Sequence, residues 1–145
     1  MKDLYLIAEM AGTMVAIPTQ DVEAVVSVGE TVPVPAAPSH VAGLFALRSR
    51  VITLIDPAQL IARKQTRLDA DSTAIIGSIG GNVYGFLIDK VDDVLTIPSD
   101  QIMDVGGATD AWARLATGVA AVEGRDMMMV VSLGNFIHLP RQMAA

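Results

Sequence analysis

Residues in patterns typical of nucleophilic or acid–base catalysis are lacking in this sequence. None of its 145 residues is a cysteine, which excludes thiol catalysis, disulfides and zinc–thiolate sites. The two histidines, His40 and His138, do not lie in a pattern with a nucleophile and a carboxylate that suggests a catalytic triad. We interpret both as ordinary surface histidines, and we expect a protein that is not an enzyme.

The densest group of carboxylates consists of Asp89, Asp92 and Asp93. A calcium-binding loop requires ligands at alternating positions, a glycine at the bend and a distal glutamate, and this segment lacks that arrangement. The chain also lacks the glycine motifs that bind phosphates or dinucleotides. We therefore predict no metal and no cofactor. We expect Asp92 and Asp93 to mark a solvated turn or an edge that faces a partner.

Positive charge is concentrated in one segment of an otherwise acidic chain. Two interpretations of this segment remain open. It can be a solvated turn followed by the end of a helix, where cations are favoured. It can also provide arginine contacts to an acidic partner, because arginine is enriched at the energetic centres of interfaces. The cations are Arg48, Arg50, Arg63, Lys64 and Arg67.

The composition argues against several classes of protein. A formal net charge of -6 repels nucleic acid, and an aromatic content of 4% provides no stacking platform for single strands. A hydrophobic content of 52% excludes intrinsic disorder. No apolar run reaches the roughly 18 residues that a membrane helix needs. The first residues do not resemble a signal peptide, so we interpret them as the start of the mature protein. The lack of cysteines fits a cytoplasmic address, and we expect no direct membrane insertion.

Short apolar runs separated by turn residues predict an all-β fold. A helix is predicted from Asp56, a residue suited to capping, to about Arg63, and a second one from Leu133 to Ile137. The polar stretch from Lys64 to Ser72 is interpreted as a linker. The ten predicted strands are Leu4–Met10, Thr13–Pro18, Val22–Val28, Val41–Leu47, Val51–Ile55, Thr73–Ile79, Asn82–Ile88, Asp92–Ile97, Gly118–Val122 and Met127–Ser132.

The two halves of the chain resemble each other. Leu6–Val28 aligns without a gap on Ile75–Ile97, and after an insertion Gly43 aligns on Gly118 and Arg50 on Arg125. Any two β-meanders look somewhat alike, but the matched order of strands and turns favours a duplication. Five short strands in each half predict two pseudo-symmetric, SH3- or OB-like barrels, because closure removes bare edges. We expect one subdomain at about 1–64 with 134–145 and the other at about 72–133.

Three segments together resemble the CheW family of chemotaxis coupling proteins, in matching order over almost the whole chain. Val32–Ile61 resembles the proline-rich approach and arginine hairpin of that family, Gly85–Pro98 its Gly-x-x-Val-Asp segment, and Thr117–Ile137 its last hairpin and helix. The matching positions in the first segment are Gly43, Leu47, Arg48, Val51, Ile52, Ile55 and Asp56. The sequence departs from the family pattern at Ala24, Ala46, Ser49, Thr53 and Pro57.

This resemblance implies a fold of two five-stranded barrels in a single CheW-like domain. It also implies a non-catalytic adaptor that couples the cytoplasmic tips of methyl-accepting chemoreceptors to the regulatory domain of the histidine kinase CheA, at membrane-associated receptor arrays. Family receptor contacts imply a groove between the barrels as the binding surface. The partner-binding residues that we expect are Val22, Glu23, Leu47, Arg48, Arg50, Ile88, Asp89 and Val91.

Three other functions stand as alternatives. The first is a CheW-like scaffold of a different chemosensory system, such as twitching motility, which the sequence does not separate from chemotaxis. The second is a small barrel that binds nucleic acid, which the net charge of -6 disfavours. The third is a small hydrolase, which the lack of a nucleophile–base pattern disfavours.

Overall fold

A computed structural model describes residues 2–106 and 110–137, so His138 lies outside the described residues. Strands dominate it: β1 (Lys2–Met10), β2 (Thr13–Pro18), β3 (Ala24–Ser27), β4 (Val41–Leu47), β5 (Arg50–Ile55), β6 (Thr73–Ile79), β7 (Asn82–Ile88), β8 (Lys90–Pro98), β9 (Ile102–Met103), β10 (Ala116–Ala120) and β11 (Met128–Val131). The helices are α1 (Pro57–Ile61) and α2 (Trp112–Leu115), with 3-10 turns at Thr19–Asp21, Ser99–Gln101 and Leu133–Phe136.

All ten predicted strands are present, and the all-β class is confirmed. Asp56 caps α1 as expected, and its carboxylate accepts hydrogen bonds from the backbone N–H groups of Ala58 and Thr66. The predicted helix at Leu133 forms as a 3-10 turn. Two elements were missed, β9 and α2, because each spans only a few residues and neither shows the periodicity of a strand or a helix.

The strands form two sheets that repeat each other. The first sheet has the order β8-β1-β2-β11-β10-β9, and the second sheet has the order β3-β6-β7-β5-β4. The first five strands of the first sheet correspond one by one to those of the second under the alignment of the two halves. The single parallel pair of each sheet is also equivalent, β2 with β11 and β7 with β5. This strand order supports the duplication.

The expected subdomain boundaries do not coincide with the sheets, because the two halves exchange their first hairpins. The β1–β2 hairpin joins strands of the second half, and the β6–β7 hairpin joins strands of the first. The polar stretch 64–72 therefore connects two parts of one sheet. The sequence could not reveal this exchange. When two halves are alike, each offers the same pairing edge to either copy of the hairpin.

The sheets differ from the expected five-stranded closed barrels. Within the described residues the first sheet has six strands, and pairing leaves β8 and β9 as its edges and β3 and β4 as those of the second sheet. The edge strands β3 and β9 are very short, and β8 begins with charged residues. These features limit the unpaired backbone at the sheet edges, although the sheets do not close into barrels. Two glycines at repeat-related positions allow a further backbone segment to lie close to β10 in the first sheet and to β4 in the second. A Cβ on Gly118 would lie 2.9 Å from the carbonyl oxygen of Met103 in β9, and a Cβ on Gly43 would lie 2.8 Å from the carbonyl oxygen of Val32.

The core has three parts, because the hairpin strands are buried on both faces. A central cluster between the sheets contains Leu6, Ile75, Phe86 and Phe136 among others. Each sheet also contributes to a cluster of its own, with Ile7 in the first and Ile76 in the second. The methionine-rich β11 contributes buried Met128, Val130 and Val131 to the core.

Candidate partner-binding site

The turn between β4 and β5 presents the arginines that the sequence singled out. Leu47 and Arg50 face each other across this hairpin, and Arg48 and Ser49 form its two central residues. Both central residues have positive φ, 50° and 69°, as the two-residue turns that match the twist of a hairpin require. Leu47 packs against the core of the second sheet, whereas Arg48 and Arg50 are exposed.

Arg50 lies at one end of the second sheet, beside the β6–β7 hairpin. A surface depression there is lined by Arg50, Val51, Thr53 and the segment 81–84 at the start of β7. Val51 is 71% exposed, the highest value among the large exposed apolar side chains of the described residues. We call Arg48, Arg50, Val51, Val83 and Tyr84 the second-sheet rim.

Val22 and Glu23 lie at the same end of the second sheet, at its β3 edge. Val22 packs against the central cluster. The backbone N–H of Glu23 donates to the Ile76 carbonyl, and its carboxylate accepts a hydrogen bond of 2.8 Å from the Ser78 hydroxyl. Glu23 is therefore tied to β6 by backbone and side chain, although the side chain remains exposed.

Ile88 and Asp89 lie at the opposite end of β7, and both have structural partners. Ile88 is buried in the central cluster. The Asp89 backbone N–H donates to the Glu9 carbonyl, and its carboxylate accepts from the backbone N–H of Gly12. Val91 pairs with Ala8 in the first sheet and is 42% exposed.

The structure does not bring the eight expected residues together. Six steps along β7 at roughly 3.3 Å each place Ile88 about 20 Å from Asn82, which lines the depression of Arg50. Five of the residues lie at the hairpin end of the second sheet: Val22, Glu23, Leu47, Arg48 and Arg50. The other three, Ile88, Asp89 and Val91, lie beyond the far end of β7 and along β8.

Apolar side chains on the outer edge strands extend the central cluster to the surface. Val94 faces Leu6 across β8 and β1, and Val25 faces Ile75 across β3 and β6. Leu6 and Ile75 are buried in the central cluster, but Val94 and Val25 are 50% and 41% exposed. Each sheet thus leaves an apolar strip on the face that it turns toward the other sheet.

An arginine at the matching end of the first sheet was not predicted as part of a site. Arg125, in the β10–β11 turn, contacts Asp92 at 2.7 Å and Asp93 at 2.8 Å, each through a different guanidinium nitrogen. The hydrogen bond to Asp92, opposed by partial desolvation, raises the pKa of Arg125. Met14, Asp126 and Met128 lie around this group, which we call the first-sheet rim. The alignment of Arg50 on Arg125 was the signal that pointed to it.

His40 differs from the expected surface histidine. It is partly buried, and its backbone carbonyl accepts a hydrogen bond of 2.7 Å from the Asp56 N–H. Burial lowers the pKa of the imidazole. No group of three or more acidic or histidine side chains suited to a metal ion occurs among the residues that the structure describes.

The fold defines a class of β protein with two sheets that arise from an internal duplication. Exposed arginines lie at the rims of both sheets. The chain belongs to the CheW-like domain family, whose model matches residues 4–140. Within the described ranges, no helix is long and apolar enough to cross a membrane.

Several proteins resemble this chain. It is 31% identical over 99 residues to the chemotaxis protein CheW of Rhizobium meliloti (strain 1021), which covers 68% of this chain and 64% of that protein. It is 24% identical over 129 residues to protein FrzA of Myxococcus xanthus, covering 88% and 81%. The match thus spans less than two thirds of the length of the rhizobial relative.

The fold is shared with a solved structure, the scaffolding protein TtCheW from Thermoanaerobacter tengcongensis. The TM-score is 0.83 at 23% sequence identity, and the match covers 96% of this chain and 94% of that one. The two proteins therefore share their overall fold over almost their whole length.

Proposed function

We propose that this chain is a non-catalytic adaptor that couples methyl-accepting chemoreceptors to the regulatory domain of the histidine kinase CheA. The observation that carries this proposal is the family match over residues 4–140. Relatives named chemotaxis protein CheW in Rhizobium meliloti and Thermotoga maritima support it. In this account the protein acts in the cytoplasm and is recruited to receptor arrays at the membrane.

Separate surfaces on one folded unit suit a coupling protein. The central cluster joins side chains of both sheets, so the two rims belong to one packed body. A partner at either rim, or along the apolar strips of β3 and β8, is then held at a fixed position relative to the other. Individual contacts of this kind are modest, and repeated engagement within an array strengthens them through effective concentration.

The eight residues expected to bind partners remain part of this proposal, with roles that follow from their surroundings. Arg48 and Arg50 are exposed and suited to direct contact. Val22 and Val91 occupy repeat-related positions beside the central cluster and suit an apolar contact with a receptor helix. Leu47 and Ile88 support these positions from within the fold, because each packs into a hydrophobic cluster. Glu23 and Asp89 are exposed, and their hydrogen bonds to Ser78 and Gly12 hold neighbouring segments in place.

A CheW-like scaffold of a different chemosensory system, such as twitching motility, is the second candidate. It is favoured by the similarity to protein FrzA of Myxococcus xanthus, which covers 88% of this chain compared with 68% for the rhizobial chemotaxis protein. Both candidates share the adaptor mechanism and differ in the partners that are engaged.

Co-elution with cognate partners tests the proposal. The purified chain is mixed with a CheA regulatory domain or with a receptor signalling fragment from the same organism, and complexes are separated by size. We expect complexes with both partners. Absence of both complexes at high micromolar concentration would refute the coupling function. Binding only to proteins of another chemosensory cluster from that organism would favour the second candidate.

A charge reversal at the β4–β5 turn tests the assignment of Arg48. Arg48→Glu is expected to weaken receptor binding, because it places a carboxylate where the turn presents a cation. The matched control is Arg114→Glu, which makes the same change at an exposed position of α2. Equal receptor affinity in the Arg48 variant and the wild type would remove Arg48 from the site.

A further inference from the structure

The two rims occupy equivalent places in the duplicated fold but differ in how their arginines are satisfied. Under the alignment of the halves, Arg50 corresponds to Arg125, and Glu23 and Ala24 correspond to Asp92 and Asp93. Arg125 holds both of its carboxylates within 2.8 Å. The first-sheet rim therefore shows what an arginine at this place binds: two neighbouring carboxylates on the edge strand of the sheet.

The second sheet lacks that arrangement. Ala24 has no carboxylate, and Glu23 instead accepts a hydrogen bond from Ser78. Arg50 forms no ion pair within 4.0 Å with any carboxylate that the structure describes. Its guanidinium is left exposed at the same position where Arg125 is doubly paired.

The surroundings of Arg50 also favour an external ligand. Arg48, two residues earlier, adds a second exposed cation. Val51 replaces the acidic Asp126 of the first-sheet rim and is 71% exposed. A desolvated apolar contact next to a charge-assisted hydrogen bond is the combination that gives binding energy at protein interfaces, whereas an isolated exposed ion pair contributes little.

The geometry points to the second-sheet rim as a docking site for an acidic segment of a partner protein, in which two neighbouring carboxylates bind Arg50 and an adjacent apolar side chain contacts Val51. This inference rests on the proposed adaptor function, which supplies the partner. It deepens that function by naming the chemistry of the partner segment that is bound. A second copy of this chain is a poorer occupant, since its matching carboxylates, Asp92 and Asp93, are already paired with Arg125.

A peptide titration followed by NMR tests this site on the intact chain. The probe is a peptide with the sequence of β8, which presents two neighbouring aspartates, and the control peptide carries asparagine at both positions. We expect the acidic peptide to shift the signals of Arg50, Val51 and residues 82–84 at low millimolar concentration. The shifts should diminish as salt is added. Signals of Arg125 should stay unchanged.

Variants separate a specific site from general charge attraction. Arg50→Gln is expected to weaken peptide binding roughly twofold to fivefold, the range that one exposed ion pair provides. Arg114→Gln, a matched loss of one exposed cation, should bind as the wild type does. Three results would each overturn the assignment. They are no shift with the acidic peptide, equal shifts with the asparagine control peptide, and unaltered peptide binding by Arg50→Gln.

Self-association is a distinct outcome of the same experiment. The same shifts can arise when the chain is concentrated without peptide. If they do, and if Arg50→Gln abolishes them, the site binds a second copy of this chain, and its assignment to a different partner protein is overturned. Neither receptor nor kinase is present in this titration. Its failure therefore leaves the co-elution result intact, and a failed co-elution leaves the carboxylate site intact.

Discussion

The carboxylate of Asp89 accepts a hydrogen bond of 2.9 Å from the backbone N–H of Gly12, although 77 positions separate the two residues. Gly12 lies in the turn of the β1–β2 hairpin with a φ of 79°, and Asp89 lies between β7 and β8. The contact fastens the exchanged hairpin to the strands of the other half. Asp89, which the sequence suggested as a partner contact, is thus a structural residue in the free protein.

Removal of this contact should cost stability. Asp89→Ala is expected to lower the free energy of unfolding by about 1 kcal/mol, the typical net contribution of one hydrogen bond. Asp89→Asn retains an acceptor oxygen and should lose less. Chemical denaturation of the three proteins measures the difference. If the alanine variant is as stable as the wild type, the hairpin does not depend on this contact.

The β4–β5 turn contains a strained residue that glycine should relieve. Ser49 has a φ of 69°, a conformation in which the Cβ of an L-residue crowds the backbone. Ser49→Gly is expected to raise the free energy of unfolding by about 1 kcal/mol, the order of the penalty that is removed. Ser49→Ala keeps the Cβ and should give no gain. A stability of Ser49→Gly at or below that of Ser49→Ala would contradict the strain.

Partial burial of His40 should make stability depend on pH. Burial lowers its pKa in the folded state, so the unfolded chain binds the proton more tightly. The contribution of His40 is therefore complete above the ordinary histidine pKa of about 6.5, and it is lost as the pH falls from there toward the folded pKa.

Comparison of the wild type with His40→Gln isolates this effect from the titration of carboxylates. The free energy of unfolding of the wild type should decrease more steeply with falling pH than that of the variant. The measurement is a series of denaturation curves across mildly acidic pH. If the free energy of unfolding depends on pH in the same way in both proteins, protonation of His40 does not affect stability.

Much of the fold followed from the sequence, because strand signals and turn signals are local. The glycines of the hairpins Ala11-Gly12 and Gly80-Gly81 mark turns that the structure contains. The cap at Asp56 was also readable from residue type. Which hairpin pairs with which half was not readable, since it depends on packing between distant segments.

The candidate site was less predictable for the same reason. The turn with Arg48 was visible as a motif, but its distance from Ile88 along β7 depends on sheet topology. The pairing of Arg125 with Asp92 joins positions that are far apart in the chain. The sequence therefore indicated which residues to consider, and the three-dimensional arrangement separated them into exposed cations and structural contacts.

The most direct test of the adaptor account is a bridging experiment. A CheA regulatory domain is immobilised, and retention of the receptor signalling fragment is measured with and without this chain. The account predicts that the fragment is retained in proportion to the chain that is added, and that Arg48→Glu reduces retention of the fragment more than retention of the chain itself. Retention of the fragment that does not change when the chain is added would contradict the account.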